Sequence, residues 1–170
     1  MDRRRVIGAL GGAATLGAGG WFYRMRTNDL GDDRTRIETL DAPGSAAGTR
    51  TIPPPEPAVV TFFATWCRVC SRQMGSIAAV EAAVDTPVVS VTIELVGRSV
   101  SRTEVVEWWD EHDGDWTVGI DDDGALAERF EVSSIPKVVV LNEEGTIRWS
   151  ETGEIDAEEL RTATRLATEG

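Results

Sequence analysis

The sequence predicts an α/β fold: a mixed β-sheet flanked by helices, preceded by an N-terminal signal or anchor segment. Three observations carry this. From residue 58 onward, apolar runs short enough for buried strands alternate with stretches of helical spacing. The order strand–helix–strand, helix, then strand–strand–helix mixes neighbour directions, because a parallel pair needs a crossover and a pair joined by four turn residues must be antiparallel. The first 26 residues differ from all that follows, with five Arg, one Asp and a Gly-rich apolar middle.

That opening reads Met1-Asp2-Arg3-Arg4-Arg5-Val6-Ile7 and continues as a Gly- and Ala-rich run to Tyr23. A positive start and a weakly hydrophobic middle is the layout of a signal segment. The Arg pair, one residue, then two apolar ones resembles a twin-arginine export signal, with Asp2 and Val6 departing from the usual pattern. Val6 to Tyr23 is 18 residues, ~27 Å as a helix, against a hydrocarbon core of ~30 Å. Trp21, Phe22 and Tyr23, then Arg24 and Arg26, suit an aromatic belt with a basic flank. Ala18-Gly19-Gly20 would be a poor cleavage site, and no Cys follows to take a lipid. Residues 1–26 therefore read as a membrane anchor or an export signal, with the anchor preferred, and the protein as extracytoplasmic.

Residues 27–57 read as a polar linker holding two short strands, Ile37–Leu40 and Thr49–Ile52, with Pro53-Pro54-Pro55 stiffening the approach as polyproline II. Residues 58–170 read as the main domain. Ala58–Ala64 is an apolar run suited to a buried strand. Cys67–Val84 has helical spacing through Met74, Ile77, Ala78 and Glu81. Pro87–Ile93 is a second buried strand, and Thr103–His112 a helix capped by Ser101 or Thr103. A short strand at Trp116–Ile120 and a short helix at Gly124–Phe130 follow. Lys137–Leu141 and Thr146–Ser150 form a hairpin about the turn Asn142–Gly145. Asp156 caps a last helix reaching Ala167.

The net charge is −12, and beyond residue 26 the chain holds 28 acids against 12 bases. Such a surface repels phosphate backbones, which argues against nucleic acid as a partner. Sixteen of the 17 basic residues are Arg, leaving Lys137 alone. An acidic, Lys-poor surface resembles proteins of salt-loving organisms, where salt screens self-repulsion. Two cysteines cannot staple a secreted scaffold. Two thiols and the lone His112 fall short of the four ligands of a structural zinc site, so no metal is expected. Asp121, Asp122 and Asp123 imitate a calcium loop, but Val132 stands where its closing Glu would be. His112 reads as a surface residue, and Trp108 and Trp109 as packing for their helix.

The chemistry concentrates in Val59-Val60-Thr61-Phe62-Phe63-Ala64-Thr65-Trp66-Cys67-Arg68-Val69-Cys70. A buried strand ends, a turn follows, and Cys67 stands where a helix begins. Backbone N–H groups and the helix dipole favour a thiolate there, which is how Cys-x-x-Cys pairs bring a thiol pKa from ~8.5 to ~3.5–7.5. Cys67 is thus the expected attacking thiolate and Cys70, one turn on, the resolving thiol. Arg68 adds a positive charge beside Cys67. The competing reading is a structural disulfide, though a four-residue loop constrains little entropy.

This stretch resembles the thioredoxin superfamily, and within it the TlpA-like branch of membrane-anchored or exported thiol:disulfide oxidoreductases. The resemblance runs from about Ile37 to Ala167. Phe63-Ala64-Thr65-Trp66-Cys67 is close to that branch's strand end, and Ser134-Ile135-Pro136 looks like the family's cis-proline loop. The resemblance implies a thioredoxin-like fold and a redox-active Cys67–Cys70 disulfide. It also implies that Pro136 faces the Cys pair and that the Ile135 backbone pairs with substrate. Expected partners are protein thiols and disulfides and an unidentified electron donor, with no cofactor. Three departures matter. Arg68-Val69 lacks the common Pro in the second position. Thr61 stands where thioredoxins keep a buried acid. Glu94 is the candidate for the acid that some relatives place at the end of the next strand, though a solvated strand end is the competing reading. A redox-inert client-binding module is the alternative function, and intact Cys67 and Cys70 argue against it. A copper carrier or a peroxidase fits the Cys spacing less well.

Overall fold

The structure, a computed structural model, describes residues 34–168. The signal or anchor reading of residues 1–26 lies outside the described residues. No helix among the described residues is long and apolar enough to cross a membrane.

Seven strands form one mixed sheet: β1 (Thr35–Thr39), β2 (Gly48–Ile52), β3 (Ala58–Phe63), β4 (Val88–Thr92), β5 (Thr117–Ile120), β6 (Lys137–Leu141) and β7 (Ile147–Thr152). Their spatial order is β2-β1-β5-β4-β3-β6-β7. β3 lies between β4, parallel to it, and β6, antiparallel. β4 and β5 run parallel, and β6 and β7 form the expected hairpin. β1 pairs with β2 and with β5, both antiparallel, so both short N-terminal strands join the sheet.

All six residues of β3 are buried, because helices cover both faces of the sheet. Side-chain alternation divides the core accordingly. Val59, Phe63, Val138 and Val140 face three helices: α1 (Arg68–Glu81), α2 (Arg102–Glu111) and α4 (Ala157–Thr168). Val60, Phe62, Val89 and Val91 face α3 (Ala125–Arg129), which contributes Leu126, with Phe130 just beyond its end. Ser101 rather than Thr103 caps α2. Its hydroxyl accepts the Glu104 N–H at 3.1 Å while the Glu104 carboxylate accepts the Ser101 N–H at 2.8 Å, a reciprocal capping box. Asp156 accepts the Glu159 N–H at 2.9 Å at the start of α4.

Two expectations are corrected. The proline triplet is no free polyproline rod. The Ile52–Pro53 bond is cis, Pro53 and Pro54 are buried, and the Pro53 ring lies against Gly145. His112 is half-buried rather than a surface residue, because its ring stacks on Trp108 with centroids 4.4 Å apart and Nδ1 meets the Trp108 carbonyl at 2.7 Å. Trp108 in turn stacks on Phe63 and Trp109 meets Trp116 edge-on, so both tryptophans of α2 serve the core as expected.

Candidate active site

The parallel strands β3 and β4 end together, and the site is built on those ends. Phe63 pairs with Thr92, and one further bond, from Ile93 N–H to the Phe63 carbonyl at 3.1 Å, keeps the two chains in step. β3 stops at Phe63 because Ala64 to Trp66 turn away, a turn closed by the Cys67 N–H donating to the Ala64 carbonyl at 3.0 Å. Cys67 is then the N-cap of α1, extended at φ −87° and ψ 101°, and its sulfur accepts the Cys70 N–H at 3.1 Å. A sulfur thus takes the place that a Ser or Asp oxygen usually holds at a helix start.

Cys67 and Cys70 are joined as a disulfide with Cα atoms 5.2 Å apart, within the usual 4.4–6.8 Å range. The two sulfurs are unequal. Cys67 is 7% exposed and lines an open cleft, whereas Cys70 is 2% exposed and lies beneath it. The cleft has a volume of about 500 Å³; among the described residues Trp66, Val69, Ile93, Val132 and Ile135 supply its apolar surface, Ser133 and Ser134 its hydroxyls, and Arg68 its single charge. Trp66 stands 69% exposed at the rim. α1 is 14 residues long and carries no acid in its first turn, so its dipole acts uncompensated at Cys67.

The Ile135–Pro136 bond is cis, and the Ile135 carbonyl oxygen lies 4.0 Å from Cys67 Sγ. This loop enters β6, whose Lys137 pairs with Phe62 of β3. A segment 68 positions away in sequence is thereby held against the sulfurs.

Glu94 is buried, at 8% exposure, which removes the solvated-terminus reading. Its carboxylate accepts the Thr65 N–H at 2.8 Å, the Thr65 hydroxyl at 2.9 Å and the Thr92 hydroxyl at 3.0 Å. It therefore braces the turn two residues before Cys67. Thr61 is buried within β3.

The structure thus gathers Trp66, Cys67, Arg68 and Ile135 around one cleft, with Cys70 beneath, Pro136 beside and Glu94 behind the turn. Thr65 and Thr92 were missed in sequence. Thr92 and Glu94 are two residues apart and so share a face of the strand end, a polar pair after an apolar run that would have marked them. Asp121, which the sequence offers only as part of an imitation calcium loop, is the other buried carboxylate among the described residues. It is 2% exposed, and its oxygens accept the Leu126 and Ala127 N–H groups at 3.0 and 2.7 Å. Burial pushes its carboxyl above the usual value. The two N–H bonds oppose that shift, and Asp123 and Asp122 add to it. Its acidic run is a helix start, not a calcium loop. Among the described residues no cluster of three metal-ligating side chains occurs.

Residues 38–166 match the Redoxin family. Sporulation thiol-disulfide oxidoreductase A of Bacillus subtilis is 24% identical over 104 residues, covering 61% of this chain and 63% of that protein, so the match spans less than two thirds of that relative's length. The crystal structure of StoA from Bacillus subtilis superposes with a TM-score of 0.66 at 19% identity, covering 79% of this chain and 98% of that one. A secreted Mycobacterium tuberculosis disulfide oxidoreductase gives 0.60 at 20% identity, covering 75% and 95%. These structural likenesses show a thioredoxin-like fold, as the sequence predicts.

Proposed function

The chain belongs to the Redoxin family, and on that premise we propose that it is a thiol:disulfide oxidoreductase acting on protein clients outside the cytoplasmic membrane, within the TlpA-like branch. The observation that carries the proposal is the inequality of the two sulfurs. Cys67 caps a helix and opens onto an apolar cleft, while Cys70 lies one turn deeper.

In the oxidised protein a client thiolate attacks Cys67 Sγ. A Cys67–client S–S bond forms, the Cys67–Cys70 bond breaks, and Cys70 leaves as a thiolate. A second client thiolate then attacks the client sulfur, forming the client disulfide and expelling Cys67. Two electrons pass from client to Cys pair, and the same steps reversed reduce a client disulfide. The expelled Cys67 thiolate is received by the Cys70 N–H and the helix dipole, which makes it a good leaving group. Both electrons reside on the sulfurs, so these steps call for no cofactor. An electron donor or acceptor in the compartment restores the pair. The Ile135 backbone beside Cys67, in the loop that Pro136 ends, suits alignment of an extended client chain, with the apolar cleft taking a neighbouring side chain and exposed Trp66 as its wall. Glu94 fixes the turn that presents Cys67.

Equilibration with glutathione redox buffers, followed by alkylation and mass determination, tests the activity. The expected result is a single two-electron transition shared by Cys67 and Cys70. A pair that does not equilibrate, in a protein that still binds clients, would leave a redox-inert binding module instead. The location rests on the basic start and Gly-rich apolar run of residues 1–26. The secreted Mycobacterium tuberculosis protein of like fold supports it. If the twin-arginine route carries it, export should stop when Arg3 and Arg4 are both replaced by Lys, and a full-length protein found in the cytosol free of membrane would reject the placement.

A further inference from the structure

The cleft beside Cys67 is apolar apart from two serine hydroxyls and one guanidinium. Among the described residues, Arg68 is the only charged side chain that lines it. It is exposed, and among the described residues it has no ion-pair partner. Its own helix offers none nearby, since the first turn of α1 contains no acid and the Arg72 guanidinium one turn on is paired with Glu154 at 2.8 Å. Glu94, at the end of β4, is buried and committed to Thr65 and Thr92. Within the described residues, a protein of net charge −12 thus presents a cation with no ion-pair partner beside the Cys67 sulfur.

We propose that Arg68 selects client cysteines that have an acidic residue beside them. This rests on the reading that Cys67 and Cys70 exchange disulfides with protein clients. A planar guanidinium matches a carboxylate bidentately. Because Arg68 directly follows Cys67, a side chain one residue from the client sulfur, ~3.3 Å along an extended strand, comes within its reach. Elsewhere the acidic surface repels acidic clients, but that repulsion is long-range and salt screens it. The contact at Arg68 is short, so it sets the order among clients once they have arrived. A basic neighbour would meet the same cation and be disfavoured.

The test uses three cysteine peptides of one length, with Glu, Gln or Lys next to the cysteine and that cysteine activated as a 2-pyridyl disulfide. The Cys67 thiolate of the reduced protein attacks the peptide sulfur, and pyridine-2-thione leaves. Cys70 then attacks Cys67, closing the protein disulfide and releasing the peptide thiol. One dithiol is oxidised and one peptide disulfide reduced. Rates are divided by those with uncharged dipyridyl disulfide, which removes any effect of a substitution on the sulfur itself. The wild type should favour Glu over Gln by about two- to fivefold, the range for an exposed ion pair, with Lys slowest. Arg68→Gln should level the three, Arg68→Glu should invert the order, and salt near 1 M should compress it. Equal rates for the three peptides in the wild type, or a Glu preference that survives in Arg68→Gln, would overturn the proposal. Peptide retained on the wild-type protein, with no release by Cys70, would overturn the exchange reading beneath it, whatever the order of rates.

Discussion

Glu94 separates two roles that one substitution usually confounds, bracing a turn and placing charge near a sulfur. Its carboxylate accepts three bonds, from the Thr65 N–H, the Thr65 hydroxyl and the Thr92 hydroxyl. In Glu94→Gln the amide oxygen keeps the Thr65 N–H and the Thr92 hydroxyl, and the amide nitrogen donates to the Thr65 hydroxyl. All three contacts survive and only charge assistance is lost, about 1 kcal/mol or less. In Glu94→Ala the hydroxyls can turn elsewhere but the Thr65 N–H cannot, and a stranded donor with its small void costs about 2 to 3 kcal/mol. For a domain of this size that is roughly 6 to 15 °C in Tm. The charge has its own consequence. Thr65 lies two residues from Cys67, which puts the carboxylate on the order of 10 Å from the sulfur. At an effective dielectric of about 20 this is roughly 1 to 2 kcal/mol of repulsion against a thiolate, enough to move the Cys67 midpoint by about 0.7 to 1.5 in pH. Thermal unfolding and the pH profile of iodoacetamide alkylation, read on a Cys70→Ser background, separate the two roles. Glu94→Gln should hold its Tm within a few degrees and lower the Cys67 midpoint, while Glu94→Ala should lose stability. Equal destabilisation by both substitutions would refute the bonding pattern. An unmoved Cys67 midpoint in Glu94→Gln would confine Glu94 to bracing the turn.

Three further outcomes are expected. Cys67→Ser should abolish disulfide exchange and Cys70→Ser should trap mixed disulfides with clients on non-reducing gels; faster alkylation of Cys70 than of Cys67 in the reduced wild type would reverse the assigned roles. The folded-state pKa of Asp121 is raised by burial, so the folded protein holds that proton more tightly, and stability falls as pH rises from the ordinary Asp range through the folded value. Urea unfolding across that window should show the wild type losing stability relative to Asp121→Asn, beyond a constant offset for one lost acceptor, and a flat or rising difference would contradict the shift. Gly44 sits at φ +68°, where an added Cβ would land on the Asp115 carbonyl carbon and the Trp116 nitrogen. Gly44→Ala should therefore cost about 2 kcal/mol or more by displacing the β1–β2 connection, measurable in the same unfolding assay.

What was legible in the sequence follows from how locally each feature is encoded. β3 and β6 are buried on both faces apart from part-exposed Lys137, so they appear as apolar runs interrupted only by Thr61 in β3 and opened by Lys137 in β6. Two hydroxyl residues, Ser101 and Thr103, stand where α2 could be capped. Only Ser101 has a Glu three residues on, and that spacing decides it. β1 and β2 bury few of their side chains, with Ile37 and Ile52 as the apolar anchors. They read as strands yet also as part of a linker. The half-burial of His112 comes from its stack on Trp108, one turn back on the same helix, a contact that a lone polar residue at a helix end does not announce.

Glu94 shows where a single sequence stops. Its partner Thr65 is 29 positions away, and Ile135 is 68 positions from Cys67. Neither distance is written in local spacing; both are set by strand register. Phe63 opposite Thr92 puts Thr65 level with Glu94, and Val60 opposite Val139 carries the Ile135–Pro136 loop to the mouth of the same strand ends. A slip of one residue would turn Glu94 to the other face of the sheet, leaving the Thr65 N–H unmet and a carboxylate in the apolar layer around Phe62. Register is specified strongly here because both faces of β3 and β4 are buried. The same burial that makes these strands easy to read thus holds the two sulfurs, the cis-proline loop and the carboxylate in one place.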